Sequence, residues 1–318
     1  MTAYIIRRLM MGVIILLLVT LLVFLAMRLL PGDPLVIYIS QSQVEMFSPE
    51  QLAELRAEYG LDKSLPAQYI SWLGNMLRGD MGKSIVLGQD VGYLIKTRLP
   101  VTIYFGAMSF IVSAFFGIIF GVICGLRRGK WIDSVITILA NTGITLPAFW
   151  VGILLIYLFS LTLHWLPTYG YVAPTESLGQ SLRAAIMPVI CLSLFSVAAL
   201  TRQTRSAMLE VVSQDYIRTA WAKGLRERVI ILRHTIKNAM IPVITILGLQ
   251  VGLIFGGSVL IETIFNIPGM GRLLADSLFS HDYQIVQAGT LVIAVVVVVA
   301  NLIVDISYGW FDPRIRYG

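Results

Sequence analysis

Six apolar runs, at residues 9–30, 101–126, 134–163, 184–201, 239–261 and 286–304, constrain this 318-residue chain more than any other feature. The hydrocarbon core of a bilayer, about 30 Å thick, takes about 20 apolar residues as a helix. Only 13% of the residues are charged and 57% are hydrophobic, against roughly 25% charged in soluble domains. The sequence therefore predicts an all-α integral membrane protein with six transmembrane helices. The third run, as one straight helix, would reach about 45 Å at 1.5 Å per residue. It must tilt, kink or break, and Gly143 with Pro147 in GITLPAFW marks the place. The fourth run is the shortest. The first follows Arg7 and Arg8, exceeds the roughly 7–15 residues of a signal-peptide core and has no small-residue cleavage site, so it is expected to remain as a span.

The basic residues orient these spans. Most of the 24 Lys and Arg fall in alternate loops. Arg7 and Arg8 precede span one; Arg127, Arg128 and Lys130 follow span two; Arg314 and Arg316 follow span six. The loop at 202–238 holds Arg202, Arg205, Arg218, Lys223, Arg226, Arg228, Arg233 and Lys237. Because Lys and Arg are retained on the cytoplasmic side, both termini are expected to be cytoplasmic. The chain thus divides into an N-terminal span at 1–30, an extracytoplasmic segment at 31–99 and a core at 100–318 with a cytoplasmic loop at 202–238. In the external segment, SPEQLAELRAEYG begins at Ser48 as an N-cap, with Pro49 at the first helical position and Gly60 as the stop. A second external loop is expected at 262–284, with the turn-rich NIPGMGR.

Several function classes are excluded. Cys124 and Cys191 lie inside apolar runs and form neither a disulfide framework nor a metal site. The net charge of +6 follows from membrane topology and implies no nucleic-acid partner. MGKS at 81–84 resembles the end of a phosphate-binding loop, but its required first glycine is Leu77. His164, His234 and His281 are scattered, and neither H-E-x-x-H nor G-x-S-x-G occurs. No catalytic, cofactor-binding or metal-binding residue is expected.

Two glycine ladders, Gly117, Gly121 and Gly125 in span two and Gly248, Gly252 and Gly256 in span five, each place small residues on one helix face for close packing. Ionisable residues are absent from the middles of spans two to six, which argues against an ion-coupled transporter. Among polar span residues, Asn141, Thr145, Ser196, Gln250 and Ser258 are candidates to line a path for a polar solute.

The segment DYIRTAWAKG at 215–224 interrupts the apolar pattern. Asp215 can cap a short helix over 216–223, Lys223 complements its C-terminal dipole, and Gly224 supplies a left-handed stop. Leu209, Val212, Tyr216 and Ala220, then Leu225, Val229, Leu232 and Ile236, recur every three or four residues. Two amphipathic helices are expected to meet at Gly224. A short helix between buttressing helices makes a rigid knob that fits a groove of a cytoplasmic partner.

This segment resembles the cytoplasmic loop of membrane subunits of binding-protein-dependent ABC importers, whose pattern is E-A-A-x-x-x-G. Arg218, Thr219, Ala220 and Gly224 align with it, with arginine for glutamate and threonine for one alanine, as in the peptide branch. IIRRLMMG, RLLPGDP, YGLDKSLPAQYISWLGNMLRGDMGKS, LPAFWVG, LIETIFNIPGMGRLL and DPRIRYG are similar, in order, to the first permease subunit of dipeptide and oligopeptide importers. The resemblance implies a type I importer permease fold in a bacterial or archaeal inner membrane. It implies a second homologous permease, two cytoplasmic ATPase subunits holding ATP and Mg, and an extracytoplasmic binding protein. It further implies that Asp215, Tyr216, Ile217, Arg218, Thr219, Ala220, Lys223 and Gly224 dock on an ATPase, and that Asn266, Pro268 and Arg272 touch the binding protein. Nickel, glutathione and some oligosaccharide importers share this permease type.

Overall fold

The computed structural model describes residues 2–29, 50–51, 56–57 and 62–311. The helix expected over 48–60 lies largely outside these residues; the PGDP turn after span one and the C-terminal DPRIRYG lie wholly outside them. The principal helices are α1 (Thr2–Leu29), α2 (Leu65–Leu77), α3 (Val91–Leu126), α4 (Trp131–Thr145), α5 (Ala148–Thr162), α6 (Leu178–Val212), α7 (Asp215–Ala222), α8 (Glu227–Ile264), α9 (Met270–Phe279) and α10 (Tyr283–Phe311). Helices α1, α3, α6, α8 and α10 are long and apolar enough to cross a membrane, and α4 with α5 makes a sixth span if the bent pair counts as one.

The break in the third run falls at Leu146–Pro147, with a bend of 104°. Proline cannot donate to the preceding turn and excludes the helical region for the residue before it, and Leu146 is extended at φ −77°, ψ 128°. Gly143 stays helical and is buried against Leu194 and Ala198 of α6. Several helices outrun their apolar runs. Helix α6 has 35 residues, not the short span expected at 184–201, and α8 extends well before residue 239. Hydropathy detects only the lipid-facing stretch, whereas a helix continues wherever its polar residues face water.

The chain divides into two compact units. One holds residues 102–267 with both chain ends. In it the first glycine ladder meets a matching row on α6: a Cβ on Gly117 would lie 2.6 Å from Leu200 Cβ, one on Gly125 2.5 Å from Met208 Cβ, and one on Gly121 closer still to Thr204 Cβ. Only hydrogen side chains allow this approach, and the i, i+4 spacing repeats it for two turns. Leu200, Ala207 and Met208 of α6 pack with Ala239 and Val243 of α8.

The other unit holds residues 7–101 and 268–298, and within it the start of α3 shares a core with α9 and the start of α10. Val91, Leu94 and Ile95 of α3 pack against Met270 and Leu273 of α9 and Ile285 and Ala288 of α10. The GDMGKS loop is fastened there too. Ser84 Oγ donates to Asp282 Oδ2 at 2.5 Å, and Val86 N–H donates to the same oxygen at 3.2 Å. Arg28 lies over the rings of Phe24 and Tyr283 at 5.3 and 5.2 Å.

Candidate functional site

Helix α6 stops at Val212, and the chain turns through Ser213 and Gln214 into α7, only eight residues long. Gln214 occupies the N-cap position with extended backbone and no side-chain capping bond; Asp215 is the first helical residue. This corrects the assignment of Asp215 as the cap, although its carboxylate still lies at the positive end of the helix dipole. Thr219 Oγ1 donates back to the Asp215 carbonyl at 2.9 Å. Lys223 is the C-cap, and Gly224 follows at φ +73°. Gly224 N–H donates to Trp221 O at 2.9 Å and Leu225 N–H to Ala220 O at 3.3 Å, the paired bonds of a Schellman motif. No atom lies within 4 Å of where a Gly224 Cβ would sit. Glycine is required there by backbone conformation, not by space.

Helix α7 has an inner and an outer face. Ile217 and Ala220, 2% and 6% exposed, pack against Ile230 of α8 and Val211 of α6. Tyr216, Trp221, Leu225 and Val229 remain 38–50% exposed, beside exposed Arg218 and Lys223. An Arg218–Asp215 ion pair at 3.5 Å is fully in solvent and adds little stability. Asn238 Nδ2 donates to Tyr216 Oη at 3.2 Å and to His234 O at 2.8 Å, which ties α7 to α8 at a second point. After Gly224 the expected second amphipathic helix is not separate. It is the opening of α8 itself, which passes through a π-helical turn at Ile230–Ile236, where Thr235 Oγ1 bonds Ile230 O. Any force on α7 therefore acts directly on α6 and α8.

A partly buried ion pair that sequence reasoning missed braces the same end of α6. Arg205 Nε and Nη2 reach Asp133 Oδ1 and Oδ2 at 2.7 and 2.9 Å, and Gly129 N–H donates to Oδ2 at 3.0 Å. Asp133 is 4% exposed. One carboxylate thus joins the α3–α4 turn, α4 and α6. The only sequence signal was a single acidic residue just after a basic turn.

The other predicted residues are dispersed. Ser196 Oγ donates to Gln250 Oε1 at 2.7 Å, both buried between α6 and α8. Buried Ser258 bonds Phe255 O in its own helix. Asn141 and Thr145 are exposed on α4, with Thr145 bonded to the Asn141 and Thr142 carbonyls. The five path candidates do not share one surface. In the second ladder, Gly248 faces Val304 of α10, Gly252 is half-buried, and Gly256 is exposed with nothing within 4 Å of its Cβ position. Among the described residues, Gly256 thus has no packing partner. Asn266 takes a left-handed φ of +50°, Pro268 is half-buried, and Arg272 pairs with Asp276 at 3.6 Å. Glu262, placed by the sequence in an external loop, belongs to the last turn of α8. It is 1% exposed and accepts from Thr102 Oγ1 at 2.7 Å.

Residues 117–317 match the family model described as binding-protein-dependent transport system inner membrane component. Residues 1–106 match the N-terminal model of the same transport-system membrane components. The chain is 44% identical over 320 residues to the oligopeptide transport system permease protein AppB of Bacillus subtilis, covering 100% of both chains. It is 42% identical over 317 residues to a putative peptide transport system permease protein of Brucella abortus, again covering 100% of both. Among solved structures, an inward-facing MetNI methionine ABC transporter chain superposes with a TM-score of 0.53 at 13% identity, over 69% of this chain and 97% of that one. That likeness establishes the fold as the one used by ABC importer permeases.

Proposed function

The chain belongs to the binding-protein-dependent transport system inner membrane components, and from that premise we propose that it forms half of the translocation pathway of an ATP-driven importer of short peptides. A second, related permease supplies the other half. Two cytoplasmic ATPase subunits bind ATP and Mg, and an extracytoplasmic binding protein delivers the solute. Both termini face the cytoplasm. The peptide assignment is supported by the full-length likeness to peptide permeases.

The observation that carries the coupling role is α7: a short helix buttressed from inside by Ile217 and Ala220, with Tyr216, Trp221 and Arg218 turned outward. Seated in an ATPase groove, it moves when the ATPases close on ATP, and α6 and α8 move with it. The spans pass from inward-open to outward-open, and hydrolysis resets them. Of the path candidates, exposed Asn141 and Thr145 suit contact with solute or with the second permease. Ser196, Gln250 and Ser258 serve packing. Asn266, Pro268 and Arg272 serve contact with the binding protein.

The test is to co-purify the tagged chain with its companions in lipid and measure ATP turnover as loaded binding protein is added. Di-, tri- and oligopeptides are expected to stimulate turnover. Stimulation by nickel chelates, glutathione or oligosaccharides and by no peptide would overturn the peptide assignment.

A further inference from the structure

The unit containing residues 7–101 and 268–298 encloses a polar cavity of about 470 Å³, within the roughly 300–1,000 Å³ of small-ligand pockets. Its wall is formed by the end of α1, by α2, by the GDMGKS loop and by the first turns of α10. Two donors in this wall have no acceptor among the described residues. Gln287 is 2% exposed, and its Nε2 is buried without a hydrogen-bond partner; so is the indole Nε1 of Trp72. Buried polar groups are normally paired, and an orphan in a native structure points to a missing ligand, water or ion. The indole can only donate, so what it lacks is an acceptor.

The charges around these donors favour an anion with a cationic end. Arg28, Lys63 and Lys83 line the cavity, as do Asp80 and Asp90. The two aspartates each already accept a backbone N–H, Asp80 from Gly82 at 3.0 Å and Asp90 from Tyr93 at 2.8 Å. The wall therefore offers donors and cations for a carboxylate, and carboxylates for an ammonium. Trp72 is held by the rings of Phe24 and Tyr69, so little ordering of its ring is left to be done at binding.

We propose that this cavity is a binding site for a short peptide, whose terminal carboxylate accepts from Trp72 Nε1 and Gln287 Nε2 while its ammonium lies toward Asp80 or Asp90. The site belongs to the permease itself and is distinct from the binding protein. It rests on the reading of the chain as a peptide importer subunit with the cavity-bearing end of this unit on the extracytoplasmic side.

Trialanine, its C-terminal amide and acetate serve as probes, with binding measured by calorimetry on the full chain purified with its companion subunits and without binding protein. Trp72→Phe keeps the aromatic packing and removes only the donor; Gln287→Leu removes the other. Each is expected to weaken trialanine about tenfold or more, the size expected for a hydrogen bond to a charged group, and the amide is expected to bind at least tenfold more weakly than trialanine. Equal binding of trialanine and its amide, unchanged binding in both variants, or acetate binding as tight as trialanine would each overturn the proposal. Peptide-stimulated ATP turnover of the wild-type complex is measured in parallel. If turnover responds but the cavity binds nothing, only this inference fails; if no peptide stimulates turnover, the importer reading fails as well.

Discussion

Substitution of Gly224 isolates backbone conformation from contact, because the space around its missing Cβ is empty. At φ +73° an L-residue costs roughly 1–2 kcal/mol. Asparagine tolerates this region better and a β-branched residue worse. If the residue escapes to negative φ instead, the bonds from Gly224 and Leu225 N–H to Trp221 and Ala220 O are lost, at about 0.5–1.5 kcal/mol each. For Gly224→Val the cheaper of these two alternatives sets the cost, at about 2 kcal/mol. A helix of eight residues has little stability of its own, and about 1.4 kcal/mol is a factor of ten. The ordered α7 should therefore fall at least tenfold in the valine variant, with insertion and abundance unchanged. The readout is ATP hydrolysed per peptide imported in proteoliposomes containing the ATPases and binding protein. That ratio is expected to rise in the order Gly, Asn, Ala, Val. A valine variant that imports peptide at the wild-type ratio, or an asparagine variant worse than valine, would refute the reasoning.

Gly121→Ala brings a Cβ within van der Waals overlap of Thr204 Cβ and the Thr201 carbonyl, so it should destabilise by about 1–3 kcal/mol; Gly256→Ala meets nothing and should be neutral or stabilising by up to about 1 kcal/mol, a contrast read as opposite shifts in thermal midpoint. Asp133→Asn breaks the pair with Arg205; with Arg205 about one-third exposed, the loss should be roughly 1–3 kcal/mol, below that of a fully buried pair, measured in the same melting assay. Ser196→Ala or Gln250→Leu alone leaves a buried polar group unpaired and should cost about 1–3 kcal/mol, whereas the double variant should recover most of that and import peptide normally. Loss of import by a stable double variant would place these residues on the solute path instead. Ser84→Ala removes a donor from fully buried Asp282 and should lower stability by about 1.5–3 kcal/mol, seen as faster proteolysis of the GDMGKS loop.

What could be read from the sequence was whatever a local pattern dictates. Apolar length located the five long apolar helices and the bent pair α4–α5, and Pro147 located the break because a proline acts on the residue beside it. Gly224 was legible because few other residues accept positive φ at the end of a helix. The helix ends were not, since the start of α3 at VGYLIKTRLP and the Lys237–Asn238 stretch of α8 are polar yet helical. Pairings distant in sequence were invisible: Asp133 with Arg205, Ser84 with Asp282, Thr102 with Glu262. The two ladders show the limit most clearly. Gly121 and Gly256 have the same spacing around them, but one is pressed against α6 and the other faces open space, because periodicity fixes a helix face and says nothing of what covers it.

The most direct test of the coupling claim is the address of Trp221, half exposed on the outer face of α7. In a chain made otherwise free of cysteine, Trp221→Cys should form a disulfide with a single-cysteine ATPase partner in inside-out vesicles and should resist a membrane-impermeant thiol reagent added to intact cells. Labelling of that cysteine from outside, with no cross-link to any ATPase subunit, would contradict the account.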